Sequence, residues 1–256
     1  MEATKYINIE GKFSMHRGGH IDSPTIAYET WGTCKNEGEN AILIFTGLSP
    51  SAHASSSPED STSGWWEDMI GSGLPLDTDR FFIICVNSLG SCFGSTGPNS
   101  INPETGKRYK LSFPVLSLED IAKGGYEVIK ALGLKKINTT VGCSMGGMCA
   151  LSFCQQFPNL SERMISISSA ARALPFSIAI RSLQREMIRK DPKWLDGNYD
   201  PNDPPIEGPR LARKLGMITY RSAQEWEVRF ARERNTFEKK DGGQFYGDFA
   251  VESYLQ

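Results

Sequence analysis

The sequence predicts a doubly wound α/β fold, and three features carry the prediction. The runs "AILIFTG" (41–47) and "FFIICVNS" (81–88) are continuously apolar, as in strands buried on both faces of a parallel sheet. Helical patterns alternate with such runs up to residue 173. A glycine-rich stretch, "VGCSMGGMC" (141–149), joins a strand to a helix.

Taken in chain order, the first 30 residues read as a pair of strands. "YINIEGKFSM" (6–15) and "TIAYETWG" (25–32) alternate apolar and polar residues, and the turn-rich "HRGGHIDSP" separates them. Between the two buried runs lies a loop of residues 48–80, too long to be idle in a compact domain. Its Ser-, Ala- and Pro-rich first half is expected to be loop or cover, not core. A second long loop, residues 89–114, follows the run at 81–88. A helix then opens at "SLED", where Ser117 and Asp120 have capping-box spacing. Ile121, Gly125, Val128, Ile129 and Leu132 share one of its faces, and Gly133 closes it. "INTTVGCS" is strand into turn, "GGMCALSFCQQFP" is helix up to Pro158, and "RMISISSA" (163–170) reads as the next buried strand.

The character changes after residue 173. "PFSIAIRSLQREMIRKDP", "GPRLARKLGMITY" and "SAQEWEVRFARER" are successive amphipathic helices, and "DFAVESYLQ" begins another. The expected division is therefore 1–173 for the α/β core and 174–256 for a helical region.

Bulk composition sets limits on function. With 28 basic and 30 acidic side chains the net charge is -2, which gives no basic surface for nucleic acid. The six cysteines form no C-x-x-C pair, so no metal is expected from them, and a reduced cytoplasmic setting follows. The N-terminus lacks a signal-peptide pattern and no run reaches membrane-span length, so no membrane association is expected.

The stretch at 141–149 has G-x-S-x-G spacing, with Ser144 between Gly142 and Gly146. Such a serine sits on a sharp strand-to-helix turn and needs small neighbours for close strand–helix approach. The bland alternative is a glycine-rich turn with a chance serine. A phosphate loop fails, because "ETGKRY" lacks both the hydroxyl residue after its lysine and the upstream glycine. An acyl-transferring serine also needs an oxyanion hole, for which the main-chain N–H groups of Met145 and Leu48 (in "TGLSP") are the candidates. A hydroxyl further needs a base. The three histidines, His16, His20 and His53, all precede Ser144. His16 and His20 are expected to be solvated in the N-terminal turn. His53 lies near the oxyanion loop, but recruiting it would break the serine–acid–histidine chain order of this elbow.

At "TGLSPSAH", "GWWEDMIGSGLPLDTDRFFIICVNSLGSC", "GSTGPNSINPETGKRY" and "VGCSMGGM" the chain resembles the homoserine O-acetyltransferase family of α/β-hydrolase-fold acyltransferases. "CVNSLGSC" and "SSAARALPFSIAIRSLQREMIRKDPKW" look most like its serine O-succinyltransferase branch. The resemblance implies an α/β-hydrolase core with a mostly parallel sheet and an inserted helical lid. It implies ping-pong transfer of an acyl group from acyl-CoA, as co-substrate and with no cofactor, through an acyl-serine to the hydroxyl of L-serine for cysteine synthesis. Succinyl is the expected group, with acetyl or succinyl transfer to L-homoserine for methionine synthesis as the alternative.

Matched motif to motif, Ser144 is the nucleophile, Leu48 and Met145 form the oxyanion hole, and Arg213 and Tyr220 in "LARKLGMITY" hold the amino-acid acceptor. These last two lie seven apart on one helix, and an arginine fork suits a carboxylate. The resemblance also implies a homodimer. The family's catalytic aspartate and histidine follow its lid, and no residue here matches them; Asp241 and Asp248 are not promoted to either role. The expectation is that the C-terminal core strands and the base are absent from these 256 residues. A complementary C-terminal fragment would then be a partner. A non-catalytic remnant and a hydrolase on the same fold are the competing readings.

Overall fold

The structure is a computed structural model, and it describes residues 3–234 and 249–255. It divides into two compact units, residues 1–172 and 173–256.

The first unit is built on a six-stranded sheet. Its strands are β1 (Lys5–Asn8), β4 (Thr25–Trp31), β5 (Ala41–Phe45), β8 (Phe82–Val86), β9 (Ile137–Cys143) and β10 (Ser161–Ile167), in spatial order β1-β4-β8-β5-β9-β10. β1, β4 and β8 pair antiparallel in turn, whereas β8, β5, β9 and β10 run parallel. Two small ribbons complete the β structure: β2 (Lys12–Ser14) with β3 (His20–Asp22), and β6 (Ile70–Gly71) with β7 (Leu76–Asp77). The N-terminal region therefore holds four strands where two were expected. Gly11, at φ 76°, breaks the first run, and the segment read as a turn pairs back as β3.

The apolar runs behave as two-faced strands. Ala41, Leu43 and Phe45 of β5, with Ile84 and Val86 of β8, join one buried cluster. Ile42 and Ile44, with Ile83 and Cys85, join another on the opposite face. Helices α1 (Leu118–Ala131) and α2 (Met145–Gln156) cover the first face through Ile121, Val128, Ile129, Cys149 and Phe153. The capping box at Ser117 and Asp120 forms, and Asp120 also accepts a 2.7 Å hydrogen bond from the backbone of His16. The second face is covered differently. Trp31, Ala54, Ile70 and Leu76 pack on it, so the loop of residues 48–80 supplies core. Ala52, His53, Ala54 and Ser55 are all buried, which corrects the expectation that this Ser-rich half lies outside the core. Small side chains let the loop fold closely on itself, as Gly64 against the backbone of Ala54 and Ser55 illustrates.

A second correction concerns β10. Expected to be buried, it lies at the sheet edge, with β9 as its one strand neighbour among the described residues. Met164, Ile165 and Ile167 are 39%, 48% and 39% exposed. Burial on both sides requires a neighbour on each side, which periodicity cannot report.

The second unit contains α3 (Pro175–Arg189), α4 (Glu207–Thr219), α5 (Ala223–Phe230) and α6 (Ala250–Tyr254). α3 and α4 pack closely where Gly208 faces the backbone of Met187 and Ile188. Buried Asp191 accepts from the Gly208 and Lys193 N–H groups at 2.7 and 2.9 Å, which holds its carboxyl below the ordinary range. Asp241 and Asp248 lie outside the described residues. Among the described residues no helix is long and apolar enough to cross a membrane.

An open apolar parallel edge is a template for further strand pairing. The 256-residue chain is expected to self-associate through β10, and Ile165→Lys with Ile167→Lys should shift it toward monomer in sedimentation velocity. Because both positions are already partly exposed, the melting temperature should change little. An unchanged association state would remove β10 from that role.

Candidate active site

The carboxyl ends of β5 and β9 meet at the topological switch point of the sheet. From β5 the chain goes to β8 on one side and then to β9 on the other, which is where open α/β sheets place ligands. Ser144 stands at the end of β9 as the residue before α2, with φ 55° and ψ −119°. A non-glycine residue in that region costs about 1–3 kcal/mol and persists only where its surroundings enforce it.

Two hydrogen bonds and two close backbone approaches enforce it. Ser144 N–H donates to the Ile167 carbonyl at 2.9 Å, and the Ser144 carbonyl accepts from Gly147 N–H at 3.0 Å. A methyl group on Gly142 would lie 2.1 Å from the Gly146 carbonyl oxygen. One on Gly146 would lie 2.1 Å from that of Phe45 and 2.8 Å from that of Thr46. Both glycines are therefore required by close backbone approach, as the spacing predicts.

The same approach brings the candidate oxyanion loop to the elbow. Gly47 lies beside the Cys143 carbonyl, and Thr46 shares a buried hydroxyl contact of 3.3 Å with Ser88. Leu48 is 67% exposed on this loop, and Met145 opens α2. Among the described residues neither the Leu48 nor the Met145 N–H donates a hydrogen bond. Unpaired donors at a helix start favour developing negative charge.

Ser144 is the nucleophilic side chain available at the elbow. Burial pushes the neighbouring Cys143 thiol up and that of Cys149 up to about 12, so neither supplies a thiolate at neutral pH. No hydrogen bond joins the Ser144 hydroxyl to another described residue.

His53 is occupied elsewhere. It is 8% exposed, with Nδ1 2.9 Å from Glu29 Oε2 and Nε2 2.8 Å from the Thr62 carbonyl. Glu29, 1% exposed, also accepts from Thr4 Oγ1 at 2.8 Å. Two acceptors facing the two ring nitrogens suit the doubly protonated imidazolium. Burial pulls the His53 pKa down, but the Thr62 carbonyl and the Glu29 carboxylate outweigh it and leave it raised. This network was not anticipated, although Glu29, the one charged residue in the strand "TIAYETWG", was a signal for it. His16 is exposed beside Glu119, and His20 is half-buried on β3.

Arg213 and Tyr220 belong to the second unit. Arg213 lies on α4 and Tyr220 is the residue that caps its C-terminus; both side chains are exposed. Among the described residues no carboxylate pairs with Arg213.

Residues 40–254 match the alpha/beta hydrolase fold family. A serine O-succinyltransferase of Litchfieldella anticariensis is 53% identical over 255 residues, covering 100% of this chain and 70% of that protein. The chain belongs to the homoserine O-acetyltransferase family of α/β-hydrolase-fold acyltransferases. An L-serine/homoserine O-acetyltransferase of Streptomyces lavendulae is 54% identical, covering 99% of this chain and 68% of that one. Among solved structures, a homoserine O-acetyltransferase of Bacillus anthracis superposes with a TM-score of 0.86 at 29% identity, over 100% of this chain and 70% of that one. Esterase E22 superposes at 0.85 with 27% identity, over 98% and 71%.

Two outcomes test this geometry. Gly146→Ala is expected to lower stability by about 1–3 kcal/mol or more, because the methyl group meets rigid backbone; the urea midpoint measures it. The His53 pair has a raised folded pKa, so its stabilisation is fully present below the ordinary histidine value and fades as pH rises through the folded one. Urea midpoints from about pH 6 to about pH 9 should fall, and His53→Gln should flatten that slope. A wild-type slope retained in the variant would mean that another group titrates.

Proposed function

We propose that Ser144 accepts an acyl group from an acyl-CoA thioester and passes it to the hydroxyl of L-serine. Succinyl is the group favoured, since serine O-succinyltransferases of Litchfieldella and Stenotrophomonas are 53% and 52% identical to this chain. The single observation supporting Ser144 as the reacting group is its enforced backbone strain at the sheet's switch point, next to two N–H groups that donate to nothing else.

Attack of the Ser144 hydroxyl on the thioester carbonyl generates an oxyanion. The Met145 and Leu48 N–H groups stabilise it, and loss of one such donor ordinarily costs about 10²–10³ in kcat. Collapse releases the CoA thiol and leaves an ester on Ser144. The acceptor hydroxyl attacks that ester in the second half-reaction. Arg213 pairs with the acceptor carboxylate and Tyr220 adds a phenolic hydrogen bond. The described residues bring no imidazole to Ser144, so the chain as it stands should acylate slowly, with the electrostatic part of the site acting alone.

A second reading, release of the acyl group to water, draws on the similarity to esterase E22. The two readings differ only in what attacks the acyl-serine.

Prolonged incubation with succinyl-CoA, followed by intact mass measurement, should show one succinyl adduct, mapped to Ser144 and lost in Ser144→Ala. Added L-serine should discharge it faster than L-homoserine or buffer alone. Arg213→Ala should leave adduct formation within about twofold and slow serine-dependent discharge by about tenfold or more. An adduct that survives Ser144→Ala overturns the nucleophile. Equal loss of both half-reactions overturns the role of Arg213, and discharge indifferent to serine favours the esterase reading.

A further inference from the structure

We propose that His20, Asp22 and Glu104 form a binding site for a divalent transition-metal ion such as zinc, clasping the β2–β3 ribbon to the loop that follows β8. The proposal is independent of the acyl-transfer reading.

His20 and Asp22 flank buried Ile21 on β3, so strand alternation sends both side chains to the same face. Glu104 comes from a distant part of the chain. It sits in a tight turn where its N–H donates to Asn102 Oδ1 at 2.8 Å and Gly106 N–H donates to the Asn102 carbonyl at 2.9 Å. An antiparallel bridge between Ile101 and Arg108 closes that turn. Two well-fixed backbones therefore present the three groups.

The spacing is that of ligands rather than of a hydrogen-bonded pair. His20 Nε2 lies 3.4 Å from Asp22 Oδ2 and 3.8 Å from Glu104 Oε1, and one ligand atom from each residue falls within 4.8 Å of the others. Neither carboxylate is aligned for a hydrogen bond from the imidazole. Atoms so spaced share a point about 2.4 Å or less from each, and tetrahedral zinc bonds of about 2.0–2.2 Å set ligands roughly 3.4 Å apart. Closer approach of the exposed Glu104 carboxylate to the His20–Asp22 pair seats the ion, with an outer position left for water.

Charge points the same way. Among the described residues, neither Asp22 nor Glu104 pairs with a lysine or arginine, and the imidazole of His20 is the nitrogen ligand both face. A divalent ion neutralises both. One imidazole with two carboxylates and no thiolate favours zinc, cobalt or manganese, whereas calcium and magnesium prefer all-oxygen sites.

Cobalt(II) is the probe, because its spectrum reports its ligands. Titration of the metal-free chain should show one ion bound with a dissociation constant of about micromolar order, visible-region bands and no thiolate charge-transfer band; zinc should displace it. Bound zinc should raise the melting temperature, since it binds the folded state alone. His20→Gln and Glu104→Gln should each weaken cobalt binding by about tenfold or more, while matching the wild-type melting temperature in EDTA. No binding at millimolar cobalt or zinc, a thiolate band, or unchanged affinity in both variants would overturn the site.

Discussion

The contact on which the active end of this molecule depends is backbone against backbone. Gly146, in the first turn of α2, lies against the carbonyl groups of Phe45 and Thr46 at the end of β5. No side chain fits between them. The contact ties the β9–α2 turn to the loop after β5, so Ser144, the Met145 N–H and the Leu48 segment come from adjacent, rigid ends of neighbouring strands. It also explains how the unfavourable φ of Ser144 persists. The Ile167 carbonyl holds its N–H, α2 holds its carbonyl, and relaxation would require the helix to leave β5.

The two faces of the sheet are covered by different means. α1 and α2 cover one with large aliphatic and aromatic side chains, as α/β folds ordinarily do. The other receives a long loop, whose Ser- and Ala-rich first half lies buried and whose second half packs Trp65, Trp66, Ile70 and Leu76 against the sheet cluster. A buried charge pair runs through that loop, with His53 held between Glu29 of β4 and the Thr62 carbonyl. Stranding either charge alone in the interior would be costly, so the pair specifies one position for the loop. Glu67 adds to this by accepting from the Ser56 hydroxyl and from the backbone N–H groups of Gly64 and Ser56, contacts that hold its carboxyl below the ordinary range. The loop that begins at the candidate oxyanion hole is thus anchored by polar contacts at both ends of its buried half.

Family membership constrains the chemistry less than the scaffold. Proteins named serine O-succinyltransferase, homoserine O-acetyltransferase and esterase share this architecture. Their names differ in the acyl group and in what accepts it, and such differences rest on the site and not on the fold. Arg213 is exposed on α4 and has no carboxylate partner among the described residues.

The local sequence by itself determined the strands β5, β8 and β9, the capping box of α1, and the elbow with its two glycines. Each of these is set by period, by a cap or by steric need within a few residues. The helices beyond residue 173 were legible for the same reason. Tertiary structure decided what depends on partners far along the chain. Whether residues 163–167 are buried depends on a strand beside β10, not on their own apolar character. Whether a Ser- and Ala-rich loop is core depends on how close a sheet face lies. His53 was legible as a histidine near the site, but its engagement by Glu29 and Thr62 arises only when β4 and the loop fold together. His20 and Glu104, 84 positions apart, carry no joint signal until β3 and the 101–108 turn meet. Local propensity and periodicity act over a few residues, whereas burial, pairing and charge neutralisation are properties of the assembled surface.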